Sequence, residues 1–123
     1  MLKIKSYVKV NSIEEAYELN QKKTAIVLGG MVWLKMGNRN ISTAIDLSGL
    51  GLAGIQETDE EFVIGCMTTL RELETDKRLN EYTQGAVRES VRHIVGVQFR
   101  NCATVGGSIW GRYGFSDVLT MFL

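Results

Sequence analysis

The chain has 123 residues, with 14 basic and 14 acidic side chains, a formal net charge of zero, 45% hydrophobic residues, 13 glycines and no proline. That length suits one folded domain, and the even charge balance withholds the Lys and Arg surplus on which nucleic-acid binding depends. The longest uncharged apolar run, residues 25–34, is about half of the ~20 residues that cross a bilayer.

The start, Met1-Leu2-Lys3-Ile4-Lys5, lacks the apolar stretch and cleavage site of a secretory signal. Partial alternation over residues 4–10, with Tyr7, Val8 and Val10, predicts a strand. Asn11 or Ser12 then offers a helix cap, and Ile13, Ala16, Tyr17 and Leu19 fall on one helical face. Residues 24–28 form a β-branched and apolar run, as in a strand buried on both faces. Gly29-Gly30 ends it, residues 31–36 suit a brief helical turn, and residues 43–47 predict a third strand. The first ~50 residues thus read as a small βαβ-type unit.

Beyond this point the pattern changes. Residues 54–56 and 61–65 flank the acidic turn Glu57-Thr58-Asp59-Glu60 and predict a hairpin, with a solvated tip in place of a metal site. A short helix capped by Thr68 or Thr69 runs to Leu73, and residues 80–93 have the composition of a longer one. Residues 96–114 hold five glycines and predict no clear element. Ser116 caps a last apolar turn, residues 117–123, whose bare ending predicts that more chain, or another chain, covers it. Cys66 and Cys102 are far apart and have only His93 as a nitrogen companion, so neither a zinc site nor a disulfide framework is expected, and a cytoplasmic location fits best. His93 has no nucleophile or carboxylate at catalytic spacing. Trp33 and Trp110 could stack on a flat cofactor ring, but each lies in an apolar segment and reads more readily as core.

Three glycine clusters could carry chemistry. Gly49-Leu50-Gly51-Leu52-Ala53-Gly54 is a literal GxGxxG after a strand, but the acidic run that follows has no apolar positions to hold a helix, as a Rossmann-type nucleotide binder requires. Ile26, Val27, Leu28, Gly29, Gly30, Met31, Val32 and Trp33 form the second. Two glycines leaving a strand let N–H groups converge on a diphosphate, although a plain strand-ending turn uses the same residues. The third is Arg100-Asn101-Cys102-Ala103-Thr104-Val105-Gly106-Gly107-Ser108-Ile109. It combines a fixed charge, side-chain hydrogen-bonding groups and paired glycines, as a cofactor pocket or a tight internal turn would. Arg88, Arg92 and Arg100 read as a solvated face or a contact with a partner subunit.

Taken in order, several segments resemble the FAD-binding subunit or domain of molybdenum hydroxylases such as xanthine dehydrogenase and carbon monoxide dehydrogenase. They are Leu28-Gly29-Gly30, Ile45-Asp46-Leu47, Ile64-Gly65-Cys66-Met67-Thr68-Thr69, Gln98-Phe99-Arg100-Asn101-Cys102-Ala103-Thr104-Val105-Gly106-Gly107-Ser108 and Ser116-Asp117. The resemblance implies an α+β fold, the FAD-binding domain of the vanillyl-alcohol oxidase type. Its two small α/β subdomains would be residues 1–54 and 55–123, the second incomplete. It further implies that residues 26–33 hold the FAD diphosphate, and that Thr104, Gly106, Gly107, Ser108 and Asp117 approach the cofactor. No catalytic residue and no metal ligand is implied in this chain. Electrons would come from an iron–sulfur subunit and pass to NAD or another acceptor, with substrate chemistry on a molybdenum-cofactor subunit.

Some positions depart from the resemblance. Met31 and Val32 stand where the family has polar residues, Ser108 stands for Asn, and Gly111-Arg112-Tyr113-Gly114 replaces a small-residue segment ending in Pro. The chain also stops short of the family's length. Weak FAD retention, inactivity of the chain alone and homo-oligomers of the isolated chain are therefore expected. The alternative is a truncated, non-catalytic fragment that serves as an assembly or interaction piece.

Overall fold

The alternation at the start of the chain becomes β1 (Lys3–Lys9) in the computed structural model, which describes residues 1–123. Ser12 ends the extended backbone and caps α1 (Ile13–Asn20): its hydroxyl accepts from the Glu15 N–H at 3.1 Å, and Glu14 and Glu15 lie in the positively polarised first turn. β2 (Ala25–Leu28) follows, then a 3-10 turn at Leu34–Met36 and β3 (Asn40–Asp46). The three strands are parallel in the order β1-β3-β2. Parallel neighbours need crossover connections, and α1 carries the chain past the slot that β3 later fills.

These elements form the first of two units, Met1–Leu52; the second is Ala53–Leu123. One face of the sheet packs on α1 through Val10, Ala16 and Ile45, joined by Val8, Leu19, Ala25, Leu47 and Leu50. The other is closed by the segment after β2, where Met31 and Leu34 pack on Leu28, Ile41 and Ala44. The expectation that β2 is buried on both faces is corrected: it is an edge strand with Val27 37% exposed, and the buried centre is β3, where Ala44 and Ile45 are fully covered. A short apolar run marks a strand without distinguishing centre from edge.

The second unit opens with the antiparallel hairpin β4 (Ile55–Glu57) and β5 (Phe62–Ile64). Six short helices follow: α2 (Leu70–Thr75), α3 (Lys77–Tyr82), α4 (Ala86–Val91), α5 (Val97–Cys102), α6 (Val105–Trp110) and α7 (Asp117–Met121). Thr69 and Glu72 make a reciprocal capping box on α2, while Asp76, Thr104 and Ser116 cap α3, α6 and α7. Leu70, Leu73, Leu79, Val87, Val91, Val105 and Val118 are buried, with α2 packed on α3, α4 and α5, and α7 on α4 and α6.

The single helix expected over residues 80–93 is two. Gln84 and Gly85 adopt left-handed backbone, φ 52° and 83°, which only glycine takes without strain, and this ends α3. Asn80 holds the break together. Its Nδ2 donates to the carbonyls of Leu73 and Asp76 at 2.8 and 2.7 Å, and its Oδ1 accepts from the Arg88 N–H at 2.8 Å.

Thr68 is fully buried, and its hydroxyl makes both hydrogen bonds with the Gly54 backbone, donating to the carbonyl at 2.9 Å and accepting from the N–H at 3.0 Å. Thr68→Val keeps the shape but strands the Gly54 N–H. We expect a loss of about 1–3 kcal/mol in urea unfolding.

Candidate functional site

The end of β2 offers hydrogen-bond donors that the protein does not use. Within the first unit, the N–H groups of Gly29, Gly30, Met31 and Val32 find no acceptor. Met31 turns the chain in the left-handed region at φ 58°, a sparsely populated conformation for a residue with a side chain. Its side chain packs on the Leu28, Ile41 and Ala44 cluster, and its carbonyl accepts from the Lys35 N–H at 3.0 Å. The missing polar side chain at position 31 is thus a core contact, while the backbone donors remain. Consecutive free N–H groups at the end of a parallel strand fit a diphosphate. Ile26 is half-buried in the strand, Leu28 is buried, and Trp33, expected in the core, is 52% exposed: it lies between Met31 and Leu34, whose side chains take the places against the sheet.

Asp46 ends the central strand at the same edge of the sheet. Its carboxylate accepts from the Tyr7 hydroxyl, and from the backbone N–H and hydroxyl of Ser48 at 2.8 and 2.9 Å. Partial burial opposes its ionisation. The hydrogen bonds from Tyr7 and Ser48 and the charge of Lys9 outweigh that, so Asp46 titrates below the usual aspartate range.

In the second unit, two segments far apart in sequence meet. Thr69 and Thr104 form an isolated antiparallel bridge. The Leu70 N–H donates to the Ala103 carbonyl at 2.9 Å, Val105 N–H to Thr68 at 2.8 Å and Gly106 N–H to Cys66 at 2.8 Å. Residues 66–70 are therefore zipped to residues 103–106. Gly106 is required at the closest point, since a Cβ there would lie 2.7 Å from the Cys66 carbonyl oxygen. Gly107 is exposed in the first turn of α6 and donates its N–H to the Thr104 hydroxyl at 3.2 Å. The Ser108 hydroxyl donates to the Thr104 carbonyl at 2.9 Å. Thr104 is thus buried as a helix cap, Gly107 and Asp117 are exposed, and Ser108 is half-buried.

Arg100 lies neither on the solvated face expected of it nor in a place facing a ligand or partner, because it is buried. Its side chain is 7% exposed, with Nε donating to Glu74 at 2.8 Å and Nη1 to the Ile94 carbonyl at 3.0 Å. The guanidinium hydrogen bond holds Glu74 below the usual carboxylate range against the effect of burial, with Arg71 adding a second pair at 2.9 Å. Trp110, also expected in the core, is 72% exposed and lies 5.5 Å beneath the Arg112 guanidinium. It ends α6 on the side away from buried Val105. Arg92 pairs with Glu89 at 2.8 Å, and His93 is exposed.

The GxGxxG stretch opens no helix: after Asp46 the chain turns and enters β4, and the next helix begins only at Leu70. A Rossmann-type dinucleotide turn is therefore ruled out there. Gly51 has φ +66° with open space around a Cβ, so Gly51→Ala is expected to cost about 1 kcal/mol through backbone strain alone. Urea unfolding measures that cost, and a parallel flavin titration is expected to match the parent.

No helix is long and apolar enough to cross a membrane. The chain matches the model of the FAD binding domain in molybdopterin dehydrogenase over residues 2–123. No curated protein matches it in sequence. Among solved structures it is similar to the Cu,Mo-CO dehydrogenase in its cyanide-inactivated form, with 27% identity and a TM-score of 0.80 over 90% of this chain and 41% of that one. It is similar to reconstituted CO dehydrogenase from Oligotropha carboxidovorans, with 27% identity and a TM-score of 0.74 over 86% of this chain and 39% of that one. It shares its fold with quinoline 2-oxidoreductase from Pseudomonas putida 86, at 22% identity and a TM-score of 0.71 over 85% of this chain and 38% of that one. The chain thus spans about two fifths of these relatives. The free donors after β2 and the zipped segments around Thr104 lie within the matched residues, and the chain belongs to the family of FAD binding domains of molybdopterin dehydrogenases.

Proposed function

We propose that the chain serves as the flavin-holding, electron-relaying part of a molybdenum hydroxylase-type oxidoreductase, with the FAD arrangement of the vanillyl-alcohol oxidase type. The observation that carries this reading is the set of unused N–H groups at residues 29–32. They bind the diphosphate, and Thr104, Gly106, Gly107, Ser108 and Asp117 form the second set of positions near the cofactor. Within that set Thr104 and Gly106 shape the backbone, and exposed Gly107 and half-buried Ser108 supply the surface that a flat ligand meets. Bound FAD supplies a relay from an iron–sulfur partner to NAD or another acceptor, while substrate chemistry takes place on a molybdenum-cofactor subunit. Two free thiols, Cys66 and Cys102, suit a reducing cytoplasm.

A non-catalytic assembly piece is the second reading, favoured by Met31 and Val32, which bring no polar side-chain atom to the loop. The exposed Trp110, Phe122 and Leu123 favour self-association of the isolated chain, which light scattering measures. Titrating the purified chain with FAD and following the flavin absorption and fluorescence separates the two readings. Saturable perturbation at one FAD per chain supports the relay module, and an unperturbed flavin spectrum at high protein concentration supports the assembly piece.

A further inference from the structure

The parallel topology sorts the cations of the first unit by strand end. Lys3 begins β1, Lys22 and Lys23 precede β2, and Arg39 precedes β3, all at the edge opposite the free N–H groups. Lys5 lies mid-strand and Lys35 in the return turn. Only Lys9 stands at the C-terminal edge, level with Asp46 on β3, which is in turn level with Leu28 on β2. Residues in register on neighbouring strands share a face, so Lys9 lies on the face that Leu28, Met31 and Leu34 close.

With strands about 4.8 Å apart, Lys9 and Leu28 are separated by about 10 Å between Cα atoms. A lysine side chain and a diphosphate together span that gap. The Lys9 stem lies over the turn after β3, with its Cε 3.0 Å from where a Gly49 Cβ would be; glycine there leaves room for it. Lys9 makes no ion pair. The one carboxylate beside it, Asp46, is already engaged by Tyr7 and Ser48.

We propose that Lys9 is the counter-charge of this site, pairing with the diphosphate of a dinucleotide whose oxygens are held by the N–H groups of residues 29–32. This rests on the flavin-binding reading above. The backbone supplies direction, and the ammonium supplies the charge that Met31 and Val32 lack. It also gives Gly49 a use unrelated to the GxGxxG pattern, as clearance for the lysine stem.

The test is a fluorescence titration of the whole chain with FAD, and with riboflavin, which has no phosphate, at several salt concentrations. Lys9→Met should weaken FAD roughly fivefold to tenfold and flatten the salt dependence, with riboflavin unchanged. Lys9→Arg should restore binding, and Lys35→Met should match the parent. Parent-like FAD affinity and salt dependence in Lys9→Met would overturn the role of Lys9 alone. Equal losses of FAD and riboflavin would also overturn it, by showing a general disturbance of the fold. Failure of the parent to bind FAD would overturn the flavin reading and this inference together.

Discussion

Arg100→Ala is expected to destabilise the protein by about 3 kcal/mol, seen as a fall in Tm of about 10–15 °C. The change removes a guanidinium that is almost fully buried, leaves the Ile94 carbonyl without its donor and leaves Glu74, whose side chain is 10% exposed, with only Arg71. Breaking one side of a buried pair commonly costs 3–5 kcal/mol, and the remaining Arg71 places this case at the low end. Arg100→Met with Glu74→Leu should recover much of the loss, because no buried charge is then left unmatched. The pair also sets an acid limit. Glu74 has its pKa lowered by folding from an ordinary 4.5, so its contribution is complete above that value and is lost as pH falls through the folded value below it. Arg100→Ala should therefore show a shallower loss of stability on acidification than the parent.

Neighbouring glycines in the third cluster should respond in opposite ways. Gly106→Ala places a Cβ 2.7 Å from the Cys66 carbonyl oxygen, a clash against backbone, and should loosen the zipper between residues 66–70 and 103–106. Gly107→Val has a different setting: the residue is exposed in a helical turn, where valine is intrinsically no worse a helix former than glycine. The proposed flavin position gives Gly107 its reason, so Gly107→Val should abolish FAD binding with an unchanged far-ultraviolet spectrum and Tm. Unchanged FAD affinity in that folded variant would remove α6 from the site.

The parts of the fold that follow from neighbouring residues were legible in the sequence. Ser12, Thr69 and Ser116 cap helices through bonds to the third residue onward, and the acidic turn at residues 57–60 closes a hairpin. What was hidden depends on partners distant in sequence. Arg100 finds Glu74 across 26 positions, so a charge that reads as available for a ligand is consumed inside the protein. Gly106 meets Cys66, and no local pattern announces which of two adjacent glycines is a packing residue. The apolar run at residues 25–28 has the same composition in an edge strand as in a central one, and order β1-β3-β2 is decided by where β3 inserts. In the sequence Met31 stands out for the polar group it lacks, while in the structure its side chain closes the sheet and the backbone donors around it stay unpaired.

The central claim is that the unused N–H groups after β2 bind the diphosphate and that the GxGxxG stretch does not. Amide chemical-shift perturbation on isotope-labelled protein titrated with FAD measures this directly and tolerates weak binding. The largest saturable shifts should fall on Gly29, Gly30, Met31 and Val32, with Gly49, Gly51 and Gly54 nearly still. Shifts concentrated at Gly49, Gly51 and Gly54, or none at residues 29–32 under saturating FAD, would contradict the account.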